Sequence, residues 1–180
     1  MSKINCLGDK MVKIVMVVAP ENYRDEEFNE PKRVFLEKGF EVVVASKEVS
    51  EAKGMLGGST QVNVDVYDVK DFDALVFVGG SGASIYFEDN KVLDIAKDAY
   101  DHGKVLGAIC IAPSILANAG LLNGKKCTCF SSEEGNVKEK GAEFTGNDVE
   151  VDGKIVTANG PKAAKEFGEK IVSLINLIKG

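Results

Sequence analysis

The chain alternates short apolar runs rich in β-branched residues with longer segments of helical periodicity. The first run, residues 12–19, is almost continuously apolar, which is typical of a parallel strand buried on both faces. Strands are predicted at residues 12–19, 41–46, 62–66, 73–78, 104–109, 127–130 and 155–158, and helices at 25–38, 89–101, 112–119 and 161–178. Alternating strands and helices predict an α/β fold, a doubly wound parallel sheet between two helical layers.

Several residues mark details of these elements. Gly39 ends the first predicted helix, and Pro31 inside it predicts a kink or a division into two pieces. The glycine-rich stretch 54–59 is predicted to be a loop before a weak strand. The apolar positions of the last helix, which we expect to be buried, are Ala164, Phe167, Ile171, Leu174, Ile175 and Ile178.

Length and charge limit the function classes. The 180 residues fit a single domain, 1–180, in which residues 1–11 form a flexible or peripheral segment. With 22 Lys and Arg against 28 Asp and Glu, the net charge of −6 argues against nucleic acid or a membrane as partner. No apolar run approaches the roughly 20 residues of a membrane span, and the first residues lack a secretory signal. The four cysteines therefore indicate free thiols in a cytoplasmic protein.

Cys110 is the candidate nucleophile. It follows the predicted strand 104–109, and a helix begins almost immediately after it, so the segment 107–114 describes a sharp strand–turn–helix. Pro113 suits the first turn of that helix. The positive end of the helix is expected to lower the pKa of the thiol. The alternative is a buried structural cysteine.

Gly79 and Gly80 end the neighbouring predicted strand. Their backbone N–H groups are candidates for an oxyanion-binding site, and the alternative is a tight turn that tolerates small residues. The acidic loop 20–27 has no glycine, serine or threonine to hold a flavin phosphate, and the glycines at 80 and 82 do not complete a dinucleotide fingerprint. No cofactor is therefore expected.

The remaining thiols and the single histidine argue against a metal site. His102 precedes the strand that leads to Cys110, so we expect it at the opposite edge of the sheet, too far away to act as a base. Cys127 and Cys129 lie two residues apart on a predicted strand, which would send their side chains to opposite faces. Cys6 is distant in the N-terminal segment, so no metal is expected.

Three segments together carry a family resemblance. The segments G-A-I-C-I-A-P (107–113), V-F-V-G-G (76–80) and D-E-E-F-N-E-P (25–31) resemble the PfpI superfamily of archaeal intracellular proteases and the parkinsonism-associated deglycase. The resemblance runs from about residue 13 to 178. It implies the flavodoxin-like fold of the class I glutamine amidotransferase group and a homodimer or larger oligomer.

The resemblance also implies a site. The family's cysteine falls on Cys110, and its glutamate falls on Glu27, four residues before Pro31. In the family this carboxyl is protonated and hydrogen-bonds the sulfur, which is reasonable because an ionised carboxylate would repel a thiolate. The backbone N–H groups of Gly80 and Ile111 correspond to the oxyanion-binding groups.

Four positions depart from the family pattern. Proteases of the family have histidine directly after the cysteine and an acidic residue soon after the glycine pair, where this chain has Ile111 and Ser84. The deglycase branch has a histidine where this chain has Phe130, and Ala112 replaces a usual glycine. The missing histidine disfavours a peptidase.

Three functions are left open. The first is a glyoxalase- or deglycase-like enzyme in which Cys110 and Glu27 act on small reactive carbonyls, free or as protein adducts. The second is a redox-sensing or chaperone-like stress protein that works through oxidation of Cys110. The third, disfavoured, is an intracellular cysteine peptidase.

Overall fold

The computed structural model of the chain describes residues 2–180. The strands are β1 (Lys13–Val17), β2 (Glu21–Tyr23), β3 (Glu41–Ser46), β4 (Glu51–Gly54), β5 (Ser59–Gln61), β6 (Val64–Asp65), β7 (Ala74–Phe77), β8 (Val105–Ile109), β9 (Lys126–Cys127), β10 (Glu143–Phe144), β11 (Val149–Asp152) and β12 (Ile155–Ala158). The α-helices are α1 (Asp25–Glu37), α2 (Asn90–Asp101), α3 (Pro113–Asn118), α4 (Glu134–Glu139) and α5 (Ala164–Lys179). Short 3₁₀ turns occupy Val66–Asp68, Ser81–Tyr86, Ser131–Glu133 and Pro161–Ala163.

A seven-stranded sheet forms the centre of the molecule. Its order is β11-β12-β8-β7-β1-β3-β6, and every neighbouring pair is parallel except β11 with β12. The chain begins in the middle of the sheet and winds outward in both directions, so the predicted doubly wound α/β fold is confirmed. The parallel strands end at one edge, where loops after β1, β7, β8 and β12 meet.

Side chains of the sheet alternate between two hydrophobic clusters. Along β1, Val15 and Val17 join the cluster that α2, α3 and α4 cover, whereas Ile14 and Met16 join the cluster under α1 and α5. This alternation follows from the period of two along a strand. Because both faces are buried, the central strands are apolar at nearly every position, which explains why they were found from the sequence.

Most predicted elements are present, and several details differ. Helix α1 continues through Pro31 rather than dividing there, and Gly39 follows its end with a φ of +76°. The weak strand predicted at 62–66 is only Val64–Asp65, and the last helix begins with a 3₁₀ turn before α5. The prediction that Ile178 is buried is wrong, because the last turn of α5 is exposed.

A small sheet that the sequence did not reveal lies beside the first helix. Strands β2, β4 and β5 pair in that order, and the glycine-rich stretch 54–58 forms the turn between the last two. The buried carboxylate of Asp25 holds this turn by accepting the N–H groups of Leu56 and Gly58, each at 2.8 Å. These strands have three or four mostly polar residues, so their pattern carried no strand signal.

The strand predicted at 127–130 is wrong beyond its first residue. Only Lys126 and Cys127 form a strand, which pairs with β10 in a separate two-stranded sheet. Cys127 and Cys129 are both buried in the cluster under α2, α3 and α4, so they do not point to opposite faces as expected. Between residues 2 and 180, no helix is both long enough and apolar enough to cross a bilayer.

Candidate active site

Cys110 lies at a sharp turn between β8 and α3. Its N–H donates to the carbonyl of Ala158 at 2.9 Å, and its own carbonyl accepts the N–H of Phe130 at 2.8 Å. Its φ is +65°, a conformation that non-glycine residues rarely adopt and that costs free energy. Such a conformation directs a side chain off the end of a strand, as in a nucleophile elbow. The predicted strand–turn–helix is therefore present.

Two backbone N–H groups are directed at the Cys110 sulfur. They belong to Gly80, which follows β7, and to Ile111, and both favour negative charge on the sulfur. Gly80 has a φ of +101°, and a side chain there would collide with the backbone of Arg24. The peptide N–H at this position can therefore approach the thiol only because the residue is glycine.

Gly79 leaves room for the side chains of Cys110 and Glu27. Its carbonyl accepts the N–H of Arg24 at 2.9 Å, so it joins the end of β7 to the start of α1. A Cβ built on Gly79 would lie 2.5 Å from the Cβ of Cys110 and 2.9 Å from Oε1 of Glu27. The cysteine and the glutamate therefore converge on the same glycine, which lets them come close to each other.

Glu27 is a fully buried carboxyl group in the first turn of α1. Within residues 2–180, neither of its oxygens makes a hydrogen bond of standard geometry. Burial raises its pKa to about 8, and the nearby Cys110 thiol and the positive charge of Arg24 oppose that rise only in part. The carboxyl group is therefore neutral at pH 7 and has a proton to give.

The expectation of a lowered thiol pKa is wrong. Burial, followed by the negative charge of an ionised Glu27, raises the pKa of Cys110 to about 12, against the two N–H groups of Gly80 and Ile111. Helix α3 has only six residues, and removal of the thiol from water has the larger effect. When Glu27 is protonated the second of these causes is absent, and burial still favours the proton on the sulfur.

The two groups titrate as a pair. Near pH 8 the pair loses one proton, and the proton that remains is shared between the carboxyl oxygen of Glu27 and the sulfur of Cys110. When this proton is on the carboxyl group, the sulfur is a thiolate that the N–H groups of Gly80 and Ile111 stabilise. Such an arrangement can deliver a nucleophile and a proton to the same substrate.

Arg24 is a site residue that the sequence analysis missed. Its guanidinium is held by Glu26, with Nε at 2.7 Å and Nη2 at 3.2 Å from the two carboxylate oxygens. The hydrogen bond to Glu26 is the main cause that raises the pKa of Arg24, and smaller contributions from Glu27 and Cys110 indicate that the guanidinium lies within electrostatic reach of the pair. The sequence signal that could have identified Arg24 is its place as the single basic residue within the acidic run before Glu27.

The other candidate residues either lie far from Cys110 and Glu27 or have side chains that cannot act as a base. His102 caps α2 at the opposite end of β8, where its Nδ1 lies 2.8 Å from the carbonyl of Asp98. Ser84 and Cys6 are exposed, whereas Ile111 and Phe130 flank the elbow with apolar side chains. In the part of the chain that the structure describes, no three histidine, cysteine or acidic residues form a metal-binding group.

Known proteins share this architecture. The family model described as the DJ-1/PfpI family matches residues 12–174. An uncharacterized protein of Methanocaldococcus jannaschii is 40% identical over 171 residues, which cover 92% of this chain and 83% of the relative. A deglycase of Thermococcus kodakarensis is 32% identical over 163 residues, which cover 89% of this chain and 98% of the deglycase. The crystal structure of a ThiJ/PfpI domain protein from Brachyspira murdochii superposes with a TM-score of 0.91 at 35% identity, over 93% of this chain and 98% of that one.

Proposed function

The chain belongs to the DJ-1/PfpI family, and from that premise we propose that it is a deglycase-type enzyme whose Cys110 thiol attacks small reactive carbonyl compounds. Several relatives are named deglycases, which supports this type of function in general. The observation that carries the specific proposal is Glu27, a buried carboxyl group with a pKa raised to about 8 beside the nucleophile. It supplies the proton transfer that a histidine supplies elsewhere.

The first step is addition of the thiol to the carbonyl carbon. The Cys110 proton passes to Glu27 as the carboxyl group gives its own proton to the carbonyl oxygen. The sulfur electron pair forms the C–S bond, the carbonyl π electrons move to oxygen, and a hemithioacetal results. The N–H groups of Gly80 and Ile111 are placed to stabilise the negative charge that develops during this exchange. No net charge is created in the buried site, which suits a thiol whose pKa is raised by burial.

Turnover of methylglyoxal tests this mechanism. We expect Cys110→Ser to lose nearly all activity and Glu27→Gln to lose about 100-fold or more, in the range of general acid–base catalysis. Cys6→Ser is the matched control, because Cys6 is an exposed thiol far from the elbow, and it should retain full activity. Equal activity in the wild type and in Cys110→Ser would refute the mechanism.

A second function is favoured by the two N–H groups at the sulfur. We propose that they and protonated Glu27 also hold an oxidised sulfur, so that the protein acts in oxidative stress. One thiol and two molecules of peroxide give a sulfinic acid and two molecules of water. Intact-protein mass spectrometry after mild peroxide treatment should show a gain of two oxygens that Cys110→Ser abolishes. Oxidation of Cys6 with Cys110 left reduced would exclude this function.

A peptidase is not proposed. The positions at which proteases of the family have histidine and an acidic residue hold Ile111 and Ser84 in this chain, and its only histidine lies at the far end of β8 from the elbow. The homo-oligomer implied by the family resemblance stays a prediction. Sedimentation velocity tests it, since a monomer at micromolar concentration would contradict it.

A further inference from the structure

A cavity of about 400 Å³ has Phe130, which is hydrogen-bonded to the elbow, in its wall, and Glu27 is not among its lining residues. Two segments form most of it, residues 128–131 and 159–162. These segments follow the two backbone partners of Cys110, because the Cys110 N–H donates to Ala158 and the Cys110 carbonyl accepts from Phe130. Hydrogen bonds therefore join the backbone of Cys110 to both segments that form the cavity, although Cys110 itself is not part of the cavity wall.

The cavity has an apolar character. Its wall includes Phe130, Phe144, Pro161 and the buried Cys129. Phe130 exposes 47% of its surface, so a large aromatic side chain stands uncovered at the edge of the site. For comparison, an apolar cavity of roughly 150 Å³ is enough to bind benzene. The space and its lining therefore fit an aromatic ring or a branched aliphatic group.

Cys129, a lining residue of the cavity, directly precedes Phe130, whose N–H donates to the Cys110 carbonyl at 2.8 Å. Burial is the main cause that raises the pKa of the Cys129 thiol, and the charge of Cys110 makes the smallest contribution. Towards Gly79 there is little space, because a Cβ built there would lie 2.5 Å from the Cβ of Cys110 and 2.9 Å from Oε1 of Glu27. The substituent of a carbonyl compound bonded to Cys110 should therefore meet less obstruction towards the cavity than towards Gly79.

We infer that this cavity binds the non-reacting substituent of the substrate, and that the protein prefers α-oxoaldehydes with an aromatic or bulky apolar group over methylglyoxal. This inference rests on the proposed function, since it names the substrate class of the same site. Burial of the substituent against Phe130, Phe144 and Pro161 supplies the binding free energy, and Cys110 attacks the adjacent aldehyde carbon.

Alkylation of Cys110 tests the subsite without requiring turnover. The rates of alkylation by phenacyl bromide and by bromoacetone are measured in a Cys6→Ser background, each divided by the rate with glutathione, and mass spectrometry locates the product. We expect the normalised ratio to favour phenacyl bromide by about tenfold or more, the discrimination that apolar pockets achieve. A ratio near one, or failure of both reagents to modify Cys110, would overturn the inference.

Two neighbouring serines provide the matched variants. Ser131 is exposed and lines the cavity, whereas Ser132 is exposed and does not. Ser131→Trp should fill the cavity and bring the normalised ratio close to one, and Ser132→Trp should leave it unchanged. Equal ratios in the two variants would overturn the inference.

Turnover of phenylglyoxal and methylglyoxal then separates the two proposals. If Ser131→Trp brings the normalised alkylation ratio close to one but neither aldehyde is consumed, the proposed function fails and the subsite stands as a binding site. If both aldehydes are consumed with equal kcat/KM and the alkylation ratio is near one, the proposed function stands and the subsite fails.

Discussion

Two buried carboxyl groups in the first turn of α1 face different regions of the molecule. Asp25 faces the small sheet, where it accepts two backbone N–H groups at 2.8 Å. Glu27, two residues later, faces the elbow, and its oxygens make no standard hydrogen bond within residues 2–180. The first carboxylate is satisfied and holds a turn, whereas the second keeps unused hydrogen-bonding capacity beside a nucleophile. Unsatisfied buried groups are rare, so this difference separates a structural acid from a functional one.

Glycines make both arrangements possible. Side chains at Gly54 and Gly58 would collide with the carboxylate of Asp25, and a side chain at Gly79 would come within 2.9 Å of Glu27. At Asp25 the N–H of Gly58 points at the carboxylate and completes its hydrogen bonding. At Glu27 the neighbouring Gly79 donates no hydrogen bond to the carboxyl group. Its missing side chain leaves room for the Cys110 side chain to lie close to Glu27. The same kind of residue therefore serves stability in one region and reactivity in the other.

The largest predicted effect is on stability as a function of pH. Glu27 ionises near its ordinary pKa of 4.5 in the unfolded chain and near 8 in the folded protein. Between these values the folded state binds more protons, so the free energy of unfolding falls as pH rises, by up to about 5 kcal/mol. Glu27→Gln should lack this fall in the free energy of unfolding, and it should be more stable than the wild type at pH 8.

Urea unfolding at pH 5 and pH 8 measures this effect. Glu37→Gln is the control, because Glu37 lies on the same helix and is exposed, so this variant should follow the wild type. If the wild type and Glu27→Gln lose stability in parallel between the two pH values, Glu27 does not carry a raised pKa.

Removal of Asp25 is predicted to have the next largest effect. Asp25→Ala leaves the N–H groups of Leu56 and Gly58 without their acceptor, which should cost about 2–3 kcal/mol of stability at pH 7. Asp25→Asn keeps one acceptor oxygen and should cost about half as much. The rate of Cys110 alkylation should be unchanged per folded molecule. A variant that keeps its stability but loses Cys110 reactivity would reverse the assignment of the two carboxyl groups.

The smallest predicted effect is at Arg24. Its positive charge lowers the pKa of Glu27, so Arg24→Gln should raise the pH at which the pair loses its first proton. We expect a shift of less than about one pH unit in the profile of Cys110 alkylation, because the guanidinium is partly exposed and paired with Glu26. Arg33→Gln, which removes an exposed cation from the same helix, should give no shift. A downward shift in Arg24→Gln would contradict the account.

The central sheet could be predicted from the sequence, and the small sheets could not. Strands β3 and β12 were predicted with their observed bounds, because buried parallel strands are apolar at almost every position. Strands β2, β4 and β5 are short and mostly polar, and only their pairing around Asp25 makes them strands. Pro31 was expected to disturb α1, but the helix continues through it and packs closely there against Gly168 of α5, where a Cβ would lie 3.0 Å from the Cα of Pro31.

The members of the candidate site could be predicted, but not their protonation. The position of Cys110 after a strand indicated the elbow, and the family resemblance indicated Glu27. The direction of the Cys110 pKa depends on burial and on the distance to a carboxyl group, and neither is visible in a local sequence pattern. Arg24 was missed for the same reason, because its charge matters only once the loop folds back against the glycine pair.

The proposed mechanism requires that Glu27 keeps its proton at neutral pH beside Cys110. A carbon-13 NMR titration of the glutamate side-chain carboxyl groups measures this directly, with Glu27→Gln identifying the resonance. We expect the Glu27 resonance to titrate with a midpoint near pH 8. A midpoint near the ordinary value of 4.5 would contradict the account, because an ionised Glu27 would repel a thiolate and could not give a proton to the substrate.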